Sequence, residues 1–248
     1  MGILALSYSV VVYLVFFATF LYLIVFVGGD SLAFLGVPKT IDAGGSIFPA
    51  GPAALVNIAL LALFGLQHSV MARPGFKRAW TKIVPKEMER STYVLATVVV
   101  LVILYAGWRP MPLAVWSEEG TMVSAALTAL FFLGFGLVLL STFMINHFDL
   151  FGLQQGWFKF KGEQADAPVF RTPILYRFVR HPLYLGFLIA FWATPHMTVG
   201  HLLFAGVWTA YIFIAIGYEE RDLISIFGDK YREYMAKVPS ILPFGGRK

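Results

Sequence analysis

Residues Ile3–Val27, ILALSYSVVVYLVFFATFLYLIVFV, decide the fold. The run carries no charged side chain, and it exceeds the ~20 mainly apolar residues a helix needs to cross a bilayer. It is too long for the apolar region of a secretory signal, has no basic segment ahead of it and shows no small-residue cleavage site. It therefore reads as a retained transmembrane helix, with its first span at Leu4–Val27. Three further stretches reach spanning length: Ala53–Met71, Thr92–Gly107 with its flanks, and Met122–Ile145. A polar segment, Asn146–His181, follows, and then two more apolar runs, Leu183–Thr194 and Val199–Gly217. At 1.5 Å per residue the first of these is about 18 Å long, short of a hydrocarbon core about 30 Å thick. Pro195-His196 and Gly200-His201 make a polar, breaker-containing tip between them. A helical hairpin is predicted there, packed against the bundle, with its tip buried or in a thinned part of the bilayer.

Composition agrees with a membrane solvent. Of 248 residues, 58% are hydrophobic and 13% charged, with a mean hydropathy of +0.74; soluble domains carry about 25% charged residues. The net charge of +5 and isoelectric point near 9.4 do not point to nucleic acid. The basic residues cluster beside apolar spans, and no basic stripe with interleaved aromatics, zinc finger or RNA-binding signature is present. The absence of cysteine excludes disulfides, thiolate metal sites and a covalent cysteine mechanism. No metal centre is expected.

Loop charges predict the orientation. Ser31–Pro52 has Lys39 against Asp42, and Trp108–Gly120 has Arg109 with Glu118 and Glu119. By contrast, Arg73–Ser91 carries Arg73, Lys77, Arg78, Lys82, Lys86 and Arg90. His147–His181 carries Lys159, Lys161, Arg171, Arg177 and Arg180, and the tail is again basic. This alternation puts both termini and both basic loops in the cytoplasm. The predicted fold is an all-α polytopic membrane bundle: four spanning helices, a C-terminal helical hairpin and a cytoplasmic cap.

Polar side chains beside a bilayer are costly and mark candidate sites. One cluster is Arg180-His181-Pro182-Leu183-Tyr184-Leu185-Gly186, opening the short arm. Pro182 suits a first helical turn, and the free amides there, with Arg180 and His181, suit a polar or anionic ligand. A capped helix with basic anchors explains the same residues equally well. Gly186 would admit either a flat ligand or another helix. A second cluster is Glu219-Glu220-Arg221-Asp222-Leu223, followed by Phe227-Gly228, Tyr231 and Tyr234. The spacing of Glu220, Leu223, Phe227, Tyr231 and Tyr234 predicts one helical stripe. The carboxylates are either solvated interfacial charges or acceptors for ribose hydroxyls and an α-amino group. A third cluster, Asn146-His147-Phe148-Asp149-Leu150-Phe151-Gly152-Leu153-Gln154-Gln155, leaves the fourth span. Upstream lie Gln67-His68-Ser69 and Glu89-Arg90-Ser91-Thr92-Tyr93.

The joint pattern, RHPLYLG, a hairpin, then EERDL and FGDKYREY, resembles the isoprenylcysteine carboxyl methyltransferase and phospholipid methyltransferase superfamily over Tyr176 to Pro243. LQHSVMARPGFKRAW, ERSTYVL and NHFDLFGLQQ extend the resemblance nearly end to end, to the NnrU-like branch and its bacterial methanethiol S-methyltransferases. The resemblance implies a single membrane domain, 1–248, with a four-helix part (1–146) and a cofactor-binding part (147–248). It implies S-adenosylmethionine bound by Arg180, His181, Tyr184, Leu185, Gly186, Glu219 and Glu220, and methylation of methanethiol to dimethyl sulfide at the cytoplasmic face. Partners are then the small thiol and membrane lipid, with no obligatory protein partner.

A thiol reacts as its thiolate and, with a pKa of about 8.5 for an unactivated group, is mostly protonated at neutral pH. A general base within hydrogen-bond reach is therefore useful. His147, oriented by Asp149, is the first candidate and His68 the second, with Tyr93 and Gln154 at the substrate. Two rivals remain within this reading: an isoprenylcysteine or phospholipid substrate, and a haem-dependent isomerase of the NnrU-like branch with His68 and His147 as axial ligands. A transporter is disfavoured, because the polar groups gather at one face rather than at the bilayer midplane.

Overall fold

A computed structural model describes residues 1–46, 48–118, 120–163 and 169–242. Glu119, Pro243 and the tail's Arg247 and Lys248, all used in the reading above, lie outside them. In chain order the elements are α1 (Gly2–Gly28, extended by a 3₁₀ turn Gly29–Leu35), α2 (Ala50–Ala72), α3 (Pro74–Trp80), α4 (Lys86–Gly107) and the strand β1 (Ala114–Ser117). Then follow α5 (Met122–Ile145), α6 (His147–Leu150), α7 (Leu153–Lys161), a 3₁₀ turn Ile174–Arg177, α8 (Pro182–Trp192), β2 (His196–Thr198), α9 (Val199–Phe227) and α10 (Asp229–Lys237). Among the described residues five helices are long and apolar enough to cross a membrane: α1, α2, α4, α5 and α9. Their side chains are apolar on nearly every face, the pattern of a helix whose solvent is lipid. The protein is a polytopic membrane helical bundle.

The hairpin's arms differ from each other more than their apolar runs do. α8 has 11 residues, about 16 Å. α9 does not stop at Gly217; it runs on to Phe227, 29 residues in all, about 43 Å, and carries Glu219 and Glu220 on the same rod. It ends at Gly228, whose φ of 59° glycine alone adopts readily. The predicted stripe from Glu220 to Tyr234 is thus divided between α9 and α10.

By internal contacts the chain forms two compact units. The first is Met1–Val115, Asn146–Ala167 and Thr198–His201; the second is Trp116–Ile145, Pro168–Met197 and Leu202–Lys248. In the first, α1 packs on α4 and α7, and α2 on α4. Ser9 and Ser91 share a buried hydrogen bond of 2.9 Å, and Gly156 of α7 lies so close to α1 that a Cβ would sit 2.7 Å from the Ser9 hydroxyl. The hairpin tip is buried, as predicted: the Thr198 hydroxyl donates to Asp42 at 2.6 Å. The Val199 and Gly200 amides donate to Leu113 and Met111 carbonyls. Asn57, fully buried, both donates to the Arg109 carbonyl and accepts from the Arg109 amide, each at 2.8 Å.

The second unit is built on the crossing of α5 and α8. A Cβ on Gly134 would lie 2.6 Å from the Ala190 nitrogen and 2.7 Å from the Gly186 carbonyl oxygen; one on Gly186 would lie 2.7 Å from the Gly134 oxygen. Small residues let membrane helices approach this closely. Gly134→Ala should therefore force backbone apart and destabilise by about 1–3 kcal/mol, read as a lower unfolding temperature in detergent. Gly136→Ala, with nothing within 4 Å of its Cβ, should leave that temperature unchanged.

Candidate active site

The RHPLYLG turn and the EERDL helix meet in the second unit. Pro182 starts α8 after His181, so Arg180 and His181 sit on non-helical chain just before the helix and reach across to α9. Arg180 sets Nε (2.8 Å) and Nη2 (2.7 Å) on Oε1 of Glu220. His181 Nε2 lies 2.9 Å from the same oxygen, and its Nδ1 lies 3.9 Å from Glu219. Among the described residues no donor is set on Oε2 of Glu220. Glu219 has a side chain 43% exposed against 14% for Glu220, and is the carboxylate with room for a ligand.

Aromatic side chains surround this knot. The Tyr184 ring is 5.6 Å from that of His181. Tyr176, Tyr231 and Tyr234 lie near the carboxylates, and Tyr234 donates to the Tyr176 carbonyl. Burial pushes the Tyr234 phenol up to about 12. Burial and then the Glu219 charge raise Tyr176, and burial, Glu220 and Glu219 raise Tyr231. All three stay protonated at neutral pH and are therefore not bases. Of the other predicted residues, Leu185 packs with Tyr184 against the buried Ile212, Ile216 and Ile241. Gly186 resolves to helix packing, against Gly134 and Val138.

The third cluster lies in the first unit, where its members take partners other than those expected. His147, 4% exposed, places Nε2 2.8 Å from the Tyr13 hydroxyl of α1 and is edged by Phe148 and Phe151. Asp149 accepts from Gln155 Nε2 at 2.8 Å, and Gln154 accepts from Asn146 at 2.6 Å. Residues i and i+2 of a helix do not face each other, so within α6 the carboxylate serves Gln155 while Tyr13 serves the imidazole. Burial lowers the His147 pKa, which keeps the ring neutral and able to accept a proton at pH 7. His68 pairs with Tyr93, the residue expected at the substrate: the Tyr93 hydroxyl is 2.9 Å from both its ring nitrogens. Phe64 stacks on the ring at 5.2 Å, and the Thr97 hydroxyl lies at 3.4 Å. Tyr13 escaped the sequence reading because a lone tyrosine inside an apolar run carries no local signature; only its position opposite α6 reveals it.

The profile of the NnrU protein family matches residues 56–227. The chain is 52% identical over 241 residues to methanethiol S-methyltransferase 1 of Bradyrhizobium diazoefficiens, covering 97% of this chain and 82% of that protein. It is 50% identical over 244 residues to methanethiol S-methyltransferase of Mycobacterium tuberculosis, covering 98% of each. Nurim of Pan troglodytes is 29% identical over 175 residues, 67% of this chain and 66% of that protein. No solved structure matches. A family match over most of the chain, joined to half-identical relatives along nearly its whole length, leads to one conclusion: the chain belongs to the NnrU family, on the branch of the methanethiol S-methyltransferases.

Proposed function

We propose that the protein transfers a methyl group from S-adenosylmethionine to methanethiol, releasing dimethyl sulfide, at the cytoplasmic face of the membrane. The observation that carries the donor assignment is the convergence of Arg180, His181, Tyr184, Glu219 and Glu220 in one place. Half-exposed and partly engaged carboxylates beside cations match a ligand bearing hydroxyls, an α-amino group and a carboxylate. The bound donor supplies an electrophilic methyl carbon on a cationic sulfur. Glu219 and the second oxygen of Glu220 accept hydrogen bonds from its hydroxyl and amino groups; His181 and Tyr184 line its site. His147 is the proposed acceptor of the thiol proton, with His68 and its Tyr93 partner second, and Gln154 beside the thiol. Since the donor already carries a positive charge and the thiol loses a proton, charge moves to the protonated base and none is created. The relatives' names favour a thiol acceptor over a lipid substrate and over haem chemistry.

One experiment tests activity and orientation together. Sealed inverted vesicles given external S-adenosylmethionine, which does not cross lipid because it is charged, and methanethiol should release dimethyl sulfide into the headspace. Sealed right-side-out vesicles should not. Silence from both preparations would remove the activity; product from the right-side-out vesicles would reverse the topology.

A further inference from the structure

We propose that Ile241 is a positioning residue for the methyl donor, anchoring a tail segment that holds Arg180 and His181 in place. The inference rests on the donor reading above. After α10 the chain turns extended at Val238 and runs beside the start of α8. The Arg180 amide donates to the Pro239 carbonyl at 2.9 Å and the His181 amide to the Ser240 carbonyl at 3.0 Å. The guanidinium Nη1 donates to the carbonyls of Met235 (3.1 Å) and Val238 (2.5 Å). The Arg180 guanidinium thereby commits four N–H groups within the protein, two to Glu220, one to Met235 of α10 and one to Val238 where the tail begins. It acts as a bolt between tail and α9, and the backbone amides of Arg180 and His181 are likewise taken up by the tail.

Backbone carbonyls alone cannot keep such a strap docked, because ordering each residue costs chain entropy comparable to the hydrogen bond it gains. The anchor is Ile241, 4% exposed, which joins Ile212 and Ile216 of α9 in a buried cluster against which Tyr184 and Leu185 of α8 pack. Ile212, Ile216 and Glu220 recur every four residues and therefore share one face of α9. Ile241 thus sits on the apolar stretch of the stripe that Glu220 completes, against the helix that carries Tyr184.

The test is isothermal calorimetry of the full chain in detergent with S-adenosylhomocysteine, alongside kinetics and thermal unfolding. If Ile241→Ala leaves the tail docked a tenth of the time, the dissociation constant rises about tenfold, with the thiol KM unchanged. Ile241→Val should return it to within about twofold of wild type, because the docked fraction recovers. Phe204→Ala opens a hole elsewhere on α9, where Phe204 packs on Phe191 and Trp208, without touching the tail's anchor, and should also stay within about twofold. An Ile241→Ala protein that binds as wild type does, or a Phe204→Ala protein weakened as much, overturns the inference while leaving the donor reading intact. A wild-type protein that binds no S-adenosylhomocysteine removes the donor reading and this inference with it. If Ile241→Ala does not fold, Pro239→Gly, which loosens the strap without emptying the core, replaces it. Binding by that variant equal to wild type overturns the inference.

Discussion

The His147→Ala enzyme is expected to lose about 10²–10⁴-fold in kcat, the usual cost of removing a general base, with donor affinity nearly unchanged. The imidazole is enclosed by Tyr13, Phe148 and Phe151, so some stability is lost as well. The two effects separate by pH. A missing base matters less as pH rises, because solvent then delivers more preformed thiolate; a packing defect has no such dependence. In the wild type the direction is set by burial, which lowers the His147 pKa. The neutral, proton-accepting form therefore persists on acidification to a lower pH than an ordinary histidine allows, and the acid limb of kcat/KM should lie below about 6.5. Asp149→Asn should have little effect, since Asp149 serves Gln155, whereas Tyr13→Phe should shift the acid limb. A stable His147→Ala enzyme with a near wild-type rate at neutral pH would transfer the role to His68.

Glu220→Ala is expected to weaken donor binding by about 100-fold, the scale of losing hydrogen bonds to a charged group, and to destabilise the protein by about 3 kcal/mol. The two losses arise from different oxygens, the binding loss from the second oxygen, offered to the donor, and the stability loss from Oε1. Oε1 receives Arg180 twice and His181 once, so its removal leaves a guanidinium with an 11% exposed side chain without its counter-charge. Glu219→Gln separates binding from stability. Glu219 is half-exposed and touches His181 only at 3.9 Å, so the unfolding temperature should hold while donor affinity falls about tenfold. Calorimetry and thermal unfolding of the two variants side by side check this; equal losses of stability would show that Glu219 is part of the knot rather than of the ligand's surroundings.

The spans were legible because lipid imposes one requirement, length of apolar chain, and the sequence states it directly: α5 runs from Met122 to Ile145 in both reading and structure. The end of α9 was not legible. Tyr218-Glu219-Glu220-Arg221-Asp222 signals an end to apolarity, but polarity does not stop a helix; a breaker does, and it comes at Gly228. The strands β1 and β2, four and three residues long, are too brief for a two-residue period to register. In the site, residue types announced the Arg180, His181, Glu219 and Glu220 cluster, because charges at a membrane face need partners. The pairing of His147 was misread from proximity in sequence, since Asp149 is near along the chain yet on another side of its helical turn. The tail was invisible because it acts through main-chain carbonyls, which every residue has.

The knot at Arg180 joins stretches of chain that emerge from the ribosome at different times: 180–181, then Glu220, then 235–241. Synthesis proceeds from the N-terminus, so α1, α2, α4 and α5 are made well before the last of these stretches exists. The donor is therefore unavailable as a folding aid to the growing bundle. Contacts such as Ser9 with Ser91 and Gly134 with Gly186 must support the nascent protein unassisted, and competence for catalysis arrives as a late event, when residue 241 is released and folds back.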